Sequence, residues 1–374
     1  MERVGLGNIR LGIISGSLAI SFLLLAFCSC KDNSEDINEN YYCEEFPNIN
    51  AKDRKISLLY IGSSFGVNTC IQFPFIANHY GIDIDCAIMF KGAASLKFYA
   101  DACENDTEVF TFCYNNNGVY KNKYFTIEEI IQKQDWDIVV VQRGGNEAAI
   151  WENEQEDALK RLVTYINKHT KNKPTFIFNA THARPCVYFN NKRQEQINFT
   201  KQCMVTTRIA SNISGMKIIP SAIAVQNARN TYLANYGYFN NVIPDMAVDK
   251  SHLDMGIGSY VLAALLFETI IKPIFGISIE GNYYMPDAKS LASTGMLKEY
   301  EYTSPDNIEN FFKIANEAAI SAANNIWQLD YEMPFKYTMQ GSKPQEWDLN
   351  IDYNTTYKYE FDEDFRDINP VVEE

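Results

Sequence analysis

The chain has 374 residues, 46% of them hydrophobic, which is enough for one large core and excludes wholesale disorder. A formal charge of -14 with a pI near 4.9 sets it against nucleic acid and anionic lipid surfaces, because its field repels phosphate at long range. A neutral or cationic substrate is favoured over a polyanion.

At the N-terminus, Arg3 and Arg10 precede an uncharged stretch, "LGIISGSLAISFLLLAFCSC", and "KDNSEDINEN" follows it, a pattern that reads as an export signal. As a membrane-spanning helix it is barely long enough. It resembles a bacterial lipoprotein signal, which wants a small residue just before the lipidated cysteine; Cys30 after Ser29 fits and Cys28 after Phe27 does not. The polar residues led by Lys31 and Asp32 resemble the signals that send Gram-negative lipoproteins to the outer face of the outer membrane. The resemblance implies a signal over 1–30 and a membrane contact through a lipid anchor at Cys30, with a polar linker over 31–50; a cleaved secretory peptide or a single-span anchor is the plain alternative.

Nine cysteines are present, and removing Cys28 and Cys30 leaves seven, which cannot all pair. Cys103 and Cys113 flank a short polar loop and are the candidate bridge for an oxidising compartment, while Cys70 and Cys86 sit in apolar contexts as small hydrophobes. No CxxC or Cys/His cluster occurs, so no metal site is expected.

From residue 51 onward, short β-rich apolar runs alternate with helix-like segments. The strands are expected at 56–62, 83–90, 137–142, 174–180 and 216–221, nearly continuous in hydrophobicity as strands buried on both faces should be. Helices are expected at 68–80, 95–103, 126–134, 152–170, 192–212, 222–234 and 252–272, and the repetition implies a parallel sheet covered on both sides. "EVFTFCYNNNGVYKNKYFT" (108–126) reads as an inserted hairpin turning at "NNNG". After "PIFG" (273–276) the alternation is lost, so 51–276 is taken as one domain and 277–374 as a C-terminal extension with a helix near 305–328.

In such a sheet ligands gather at the carboxyl ends of the strands. Gly62, Ser63 and Ser64 follow the first strand, Gly92 the second, and Arg143, Gly144, Gly145 and Asn146 the third, while "DKSHLD" with Asp249 and His252 precedes the last long helix. A serine hydroxyl is a weak nucleophile until a base removes its proton, and a neutral imidazole suits that task near pH 7. A carboxylate must fix the tautomer of that imidazole and stabilise its charge, for which Asp249 is placed, three residues before His252. The oxyanion needs preorganised donors, for which the amides of Ser64 and Gly92 and the side chain of Asn146 are suited.

These four blocks resemble those of the SGNH, or GDSL-like, hydrolases, and the nearest likeness is to a branch of bacterial lipoproteins of uncharacterised function. Where that branch has "IGNSFS" near the start and "HLS" followed by "GxYLAA" near the end, this chain has "IGSSFG" and "HLDMGIGSYVLAA". Over about residues 55 to 275 the resemblance implies a flavodoxin-like three-layer α/β/α sandwich and an esterase. Ser64 is then the nucleophile, Asp249 and His252 its partners, and Gly92 and Asn146 oxyanion donors. Ser63 stands where the family has an acidic residue, and Gln142 competes with Asn146, because some relatives place a glutamine one strand position earlier.

Ordinary readings compete at each position. Ser64 is also suited to capping the helix that follows, and Ser251 with Asp254 forms an S-x-x-D pair that caps the last long helix and puts His252 on its first turn. Arg143, His182 and Arg229 are candidate substrate contacts, Gln226 and Asn227 weaker ones; a salt bridge from Arg143 to Glu147 and a surface loop for His182 are the plain alternatives. There is no glycine-rich phosphate loop with a lysine and no GxGxxG, so no cofactor is implied. The expected activity is hydrolysis of an acyl ester, preferably an O-acetyl group on a carbohydrate, with a lipase or thioesterase, or a glycan-binding protein without turnover, as rivals.

Overall fold

The structure is a computed structural model that describes residues 45–105, 107, 111–114, 118–119, 124–145, 147–236, 245–295, 302–305, 307–330, 332–333, 357–361 and 368–372. The expected lipidation site Cys30 and the oxyanion candidate Asn146 lie outside the described residues. Strand β1 (Lys55–Gly62) leads through helices α1 (Phe65–Cys70) and α2 (Phe73–His79) to β2 (Asp83–Phe90). Helix α3 (Leu96–Asn105), the strands β3 (Thr111–Tyr114) and β4 (Gly118–Val119), and α4 (Ile127–Ile131) follow. Then come β5 (Ile138–Gln142), α5 (Asn153–His169), β6 (Thr175–Asn179), α6 (Arg193–Ser214), β7 (Lys217–Ile219) and α7 (Ser221–Arg229). Helix α8 (Ile257–Leu266) continues through a π-helical turn into α9 (Lys272–Phe275), and α10 (Ala288–Ala292), α11 (Ile308–Asn324) and the antiparallel pair β8 (Tyr357–Phe361) and β9 (Ile368–Val372) complete the set.

The main sheet has the order β4-β3-β2-β1-β5-β6-β7, with β2, β1, β5, β6 and β7 parallel and the expected hairpin β3/β4 added antiparallel to the outer edge of β2. This is the expected α/β sandwich. The chain moves from β1 to β2 on one side and then crosses to β5 on the other, so β1 and β5 flank the switch point where loops splay apart and leave a crevice.

Alternation along each strand divides the core. Leu58, Tyr60, Val140 and Ile177 face one layer with α1, α2, α7, α8 and α11, while Leu59, Ile61, Val139 and Val141 face the other with α3, α4 and α5. Ile257–Phe275 is long and apolar enough to cross a membrane, yet most of it is buried inside the protein, and it is the central core helix.

The departures from expectation have local causes. The helix expected over 68–80 is split in two, with Pro74 in the first turn of the second part; proline lacks the N–H that an uninterrupted helix would need there. The last long helix begins at Ile257 rather than 252, so His252 lies on a loop before it. Cys103 is a free thiol, buried against α5, so the expected bridge to Cys113 is not made. The residues expected as an appended extension also enter the core: Phe311, Ile314, Ala315 and Ala318 of α11 pack in the cluster that holds α7 and α8, and the amide of Asp330 donates to Asn227 Oδ1 at 2.9 Å.

Gly66 is where α1 crosses Tyr60 most closely: a Cβ there would lie 2.6 Å from the Tyr60 ring. Gly66→Ala is expected to destabilise the protein by about 1–3 kcal/mol through overpacking. Gly92→Ala, at a position whose Cβ would meet nothing within 4 Å, should stay within about 0.5 kcal/mol of the parent. Urea denaturation of both variants checks this, and equal losses would contradict the packing.

Candidate active site

Strand β1 ends at Gly62, whose carbonyl accepts the Tyr99 hydroxyl at 2.6 Å. Two residues later, half-buried Ser64 occupies the N-cap of α1 with helical dihedrals, φ -55 and ψ -23, and its hydroxyl makes no capping bond. The turn is closed by the backbone instead, from the Gly66 N–H to Ser63 O (2.9 Å) and from Val67 to Ser64 O (3.1 Å). The Ser64 hydroxyl lies 2.7 Å from His252 Nε2. It is therefore not spent on the helix.

His252 sits at the tip of a narrow loop closed by a bridge between Ala247 and Leu253, with the Val248 N–H donating to His252 O at 3.0 Å and the Asp254 N–H to Met246 O at 2.9 Å. Asp249 organises the tip: its Oδ1 accepts the N–H of Ser251 (2.6 Å) and of His252 (2.7 Å), and its Oδ2 lies 2.8 Å from His252 Nδ1. A carboxylate only accepts, so Nδ1 carries the imidazole proton and Nε2 is left to accept from Ser64. Burial raises the Asp249 carboxyl, but the hydrogen bonds and charge of His252 with the loop amides outweigh it and hold the group below its ordinary value. With 30% of the His252 side chain and 43% of the Asp249 side chain exposed, the chain of three opens to solvent. The expected S-x-x-D cap is not formed, because Ser251 gives its amide to Asp249 while Asp254 serves α8 on its own.

The loops after β2 and β5 are braced together. The Ala94 carbonyl comes so close to Gly144 that a Cβ there would lie 2.8 Å away, and Glu147 Oε1 accepts the Leu96 N–H at 3.0 Å. Gly92 is exposed in this bracing. Gln142, at the end of β5, is buried beside Gly62, and neither atom of its amide has a hydrogen-bond partner among the described residues. Phe65 fills the space behind the nucleophile, its ring centroid 5.4 Å from that of His252 and 4.8 Å from that of His182, against a Gly145 whose Cβ would lie 2.9 Å from it.

Three expectations need correction. Arg143 is a buried scaffold and not a substrate contact: its Nη1 donates to the carbonyls of Glu147 (3.1 Å) and Ile150 (2.6 Å), its Nη2 to Ala148 O and Thr206 Oγ1, and burial pulls its pKa down to about 10. Its contact to Glu147 is thus to the main chain. Arg229 is equally buried, lying 3.5 Å from Asp245 Oδ2 and donating to Ala183 O at 2.6 Å. It closes the last turn of α7 rather than opening the helix, as do Gln226 and Asn227, which bond to Asn230 Oδ1 (2.9 Å) and to the Asp330 amide. His182 is not on the surface but 1% exposed; burial, then the charge of Arg229, lowers its pKa to about 3, and its Nδ1–H faces Ala183 O at 3.0 Å. Among the described residues, no group of three or more His, Cys, Asp or Glu side chains could hold a metal.

Sequence reasoning missed the polar residues that hold the His252 loop, namely Asn68, Gln72 and Asp254, all fully buried. The signal was there: two amides four residues apart in "FGVNTCIQF", otherwise an apolar segment, must bond to something.

Asp254 accepts the N–H of Gly256 (2.9 Å) and of Gly258 (3.1 Å), yet burial pushes its carboxyl up to about 7. Its folded pKa lies above the unfolded one, so the stability it contributes is complete below about pH 4 and is lost as pH rises through 7. Asp254→Asn keeps an acceptor without the titration, so its melting temperature should fall less than the parent's between pH 5 and pH 8. Parallel slopes in thermal melts would contradict this.

A family described as a domain of unknown function (DUF4886) matches residues 57–304. Among solved structures, a DUF4886 family protein from Bacteroides uniformis shares the fold at 23% identity, covering 74% of this chain and 97% of its own with a TM-score of 0.57. A putative SGNH hydrolase from Slackia heliotrinireducens is similar at 15% identity over 58% of this chain and 99% of its own, TM-score 0.39. An acetyl xylan esterase from Geobacillus stearothermophilus is similar at 14% over 59% and 94%, TM-score 0.36. No curated protein matches the chain. On the match over residues 57–304, the chain belongs to the DUF4886 family.

Proposed function

We propose that the protein is a serine esterase in which Ser64 is the nucleophile, His252 the general base and Asp249 the group that orients and stabilises the imidazole. One observation carries the reading: an unbroken hydrogen-bond chain, 2.8 Å from Asp249 to His252 and 2.7 Å from His252 to Ser64, ends on a hydroxyl that its helix leaves unused. As Ser64 Oγ bonds to the acyl carbon, its proton passes to His252 Nε2 and the carbonyl electron pair moves onto oxygen. Collapse of that intermediate expels the alcohol, which takes the proton from Nε2. Water then attacks the acyl-serine, gives a proton to His252, and the acid leaves as Ser64 recovers its hydrogen.

The oxyanion is met by the amides of Ser64 and Gly92, which have no acceptor among the described residues. The third donor is the side chain of Gln142 or of Asn146. Leaving a buried amide unsatisfied costs about 1–3 kcal/mol, and the partnerless amide of Gln142 favours it for a task that bonding within the fold would forbid.

The substrate we propose is a neutral acyl ester, an O-acetyl group on a carbohydrate, reached by a chain anchored through lipidated Cys30 at the outer-membrane surface. The net charge of -14 supports an uncharged target, and the export signal supports a location where acylated glycans occur.

Turnover of p-nitrophenyl acetate tests the reaction. Ser64→Ala and His252→Ala should lose it, and Asp249→Asn should lower kcat by about 10⁴-fold through the wrong tautomer. Removing the third oxyanion donor should cost about 10²–10³-fold in kcat, so Gln142→Leu and Asn146→Leu together identify it. Unchanged rates in the Ser64 variant would overturn the mechanism. A preference for p-nitrophenyl palmitate over acetylated oligosaccharides would overturn the substrate class, and absence of palmitate labelling at Cys30 in Gram-negative cells the anchor.

A further inference from the structure

The five residues after His252 are gripped from two sides. On one side, Asn68 Nδ2 of α1 donates to the Leu253 carbonyl at 2.7 Å, and Nε2 of Gln72, which caps α2, donates to the carbonyls of Met255 and Gly256, each at 2.7 Å. From the opposite side, the Ile257 N–H donates to Thr303 O at 3.2 Å and the Thr303 N–H approaches Asp254 Oδ1 at 3.4 Å. Gly256 has no Cβ where the Thr303 main chain passes, and none would fit.

Ser64 caps α1, Asn68 lies within it, and Gln72 follows in the short turn that leads into α2, where Ile71 and Gln72 keep right-handed helical dihedrals. The nucleophile and the two grips on the loop of its base are thus carried by one piece of backbone. Both amides are fully buried, and their oxygens, Asn68 Oδ1 and Gln72 Oε1, have no hydrogen-bond partner among the described residues. With the oxygen of each amide left unsatisfied, part of what its N–H bonds contribute is offset by desolvation. What they provide is a fixed separation between two segments.

We infer that Asn68 and Gln72 are positioning residues that set the distance between Ser64 and His252, acting through the Leu253–Gly256 main chain. The inference rests on the esterase reading for its consequence in turnover, but not for the geometry. Holding reacting groups within hydrogen-bonding distance matters because a displacement of 1 Å costs about 10²-fold in rate. The segment around Thr303 braces the same loop from behind.

The test replaces each grip by an apolar side chain of similar shape, Asn68→Leu and Gln72→Met, in the chain from residue 31 onward. With p-nitrophenyl acetate, kcat should fall about 10–10²-fold while KM changes little. Adding His252→Ala to either variant should cost far less than it costs the parent, because the base is already out of place. Losses that multiply independently, or a loss confined to KM, would overturn the inference. A readout without substrate separates the two claims: the low-field N–H proton resonance of His252 should shift or broaden in both variants. If the parent shows no Ser64-dependent turnover while that resonance still moves, the esterase reading fails and the positioning stands; if the resonance is unmoved, the positioning fails whatever the parent's activity.

Discussion

The Ser64–His252 contact joins residues 188 positions apart with a hydrogen bond of 2.7 Å, and much of the polar chemistry buried around it keeps it at that length. The hydrophobic effect brings α1 and α8 onto the same sheet face, but it has no direction and sets no distance between two side chains. Direction comes from buried hydrogen bonds: Asn68 and Gln72 fix the loop to α1 and to the start of α2, Asp254 ties it to the start of α8, and Asp249 curls its tip so that the imidazole faces the hydroxyl. Each bond is worth only about 1 kcal/mol net, yet each excludes the neighbouring geometries in which Ser64 and His252 would miss.

Charge beneath this loop is neutralised inside the scaffold. Asp245 is fully buried, which raises its carboxyl, but Arg229, Arg193 and Gln196 outweigh that and hold it below its ordinary value. Its Oδ2 also accepts the Cys186 N–H at 2.7 Å, so one carboxylate links the base of the His252 loop to the segment after β6. Taking one partner from such a cluster costs about 3–5 kcal/mol, because it strands the others without water. Arg143 plays the same part on the other flank, gathering the carbonyls of 147, 148 and 150 around one guanidinium. The guanidiniums of Arg143 and Arg229 are thereby committed to the scaffold.

How much of this was legible follows the range of each interaction. The strands were readable to within a residue or two at most ends, because burial on both faces writes itself as a local apolar run; Ser64 and Gly92 could be placed at strand ends by counting βα units, and the Asp249/His252 pair just before the last long helix. Arg143 and Arg229 depart from expectation for a common reason. Arginine is seldom fully buried, so beside a presumed site it suggests substrate, and nothing local announces partners such as Thr206 or Ala183. The packing of α11 was hidden in the same way: Phe311, Ala315 and Ala318 mark an apolar stripe, but only the fold shows that it docks on α7 and α8. The break at Pro74, by contrast, is written locally, in a proline that lacks the N–H a continuous helix needs.

The account depends on Ser64 being activated by His252 rather than merely lying near it. The direct measurement is the mass of the protein after exposure to a fluorophosphonate, with the adduct mapped by peptide sequencing and its rate followed against pH. An adduct on Ser64 alone, formed in the parent and absent from His252→Ala, is the predicted result. No adduct at Ser64, or an adduct formed equally fast without the imidazole, would contradict the account.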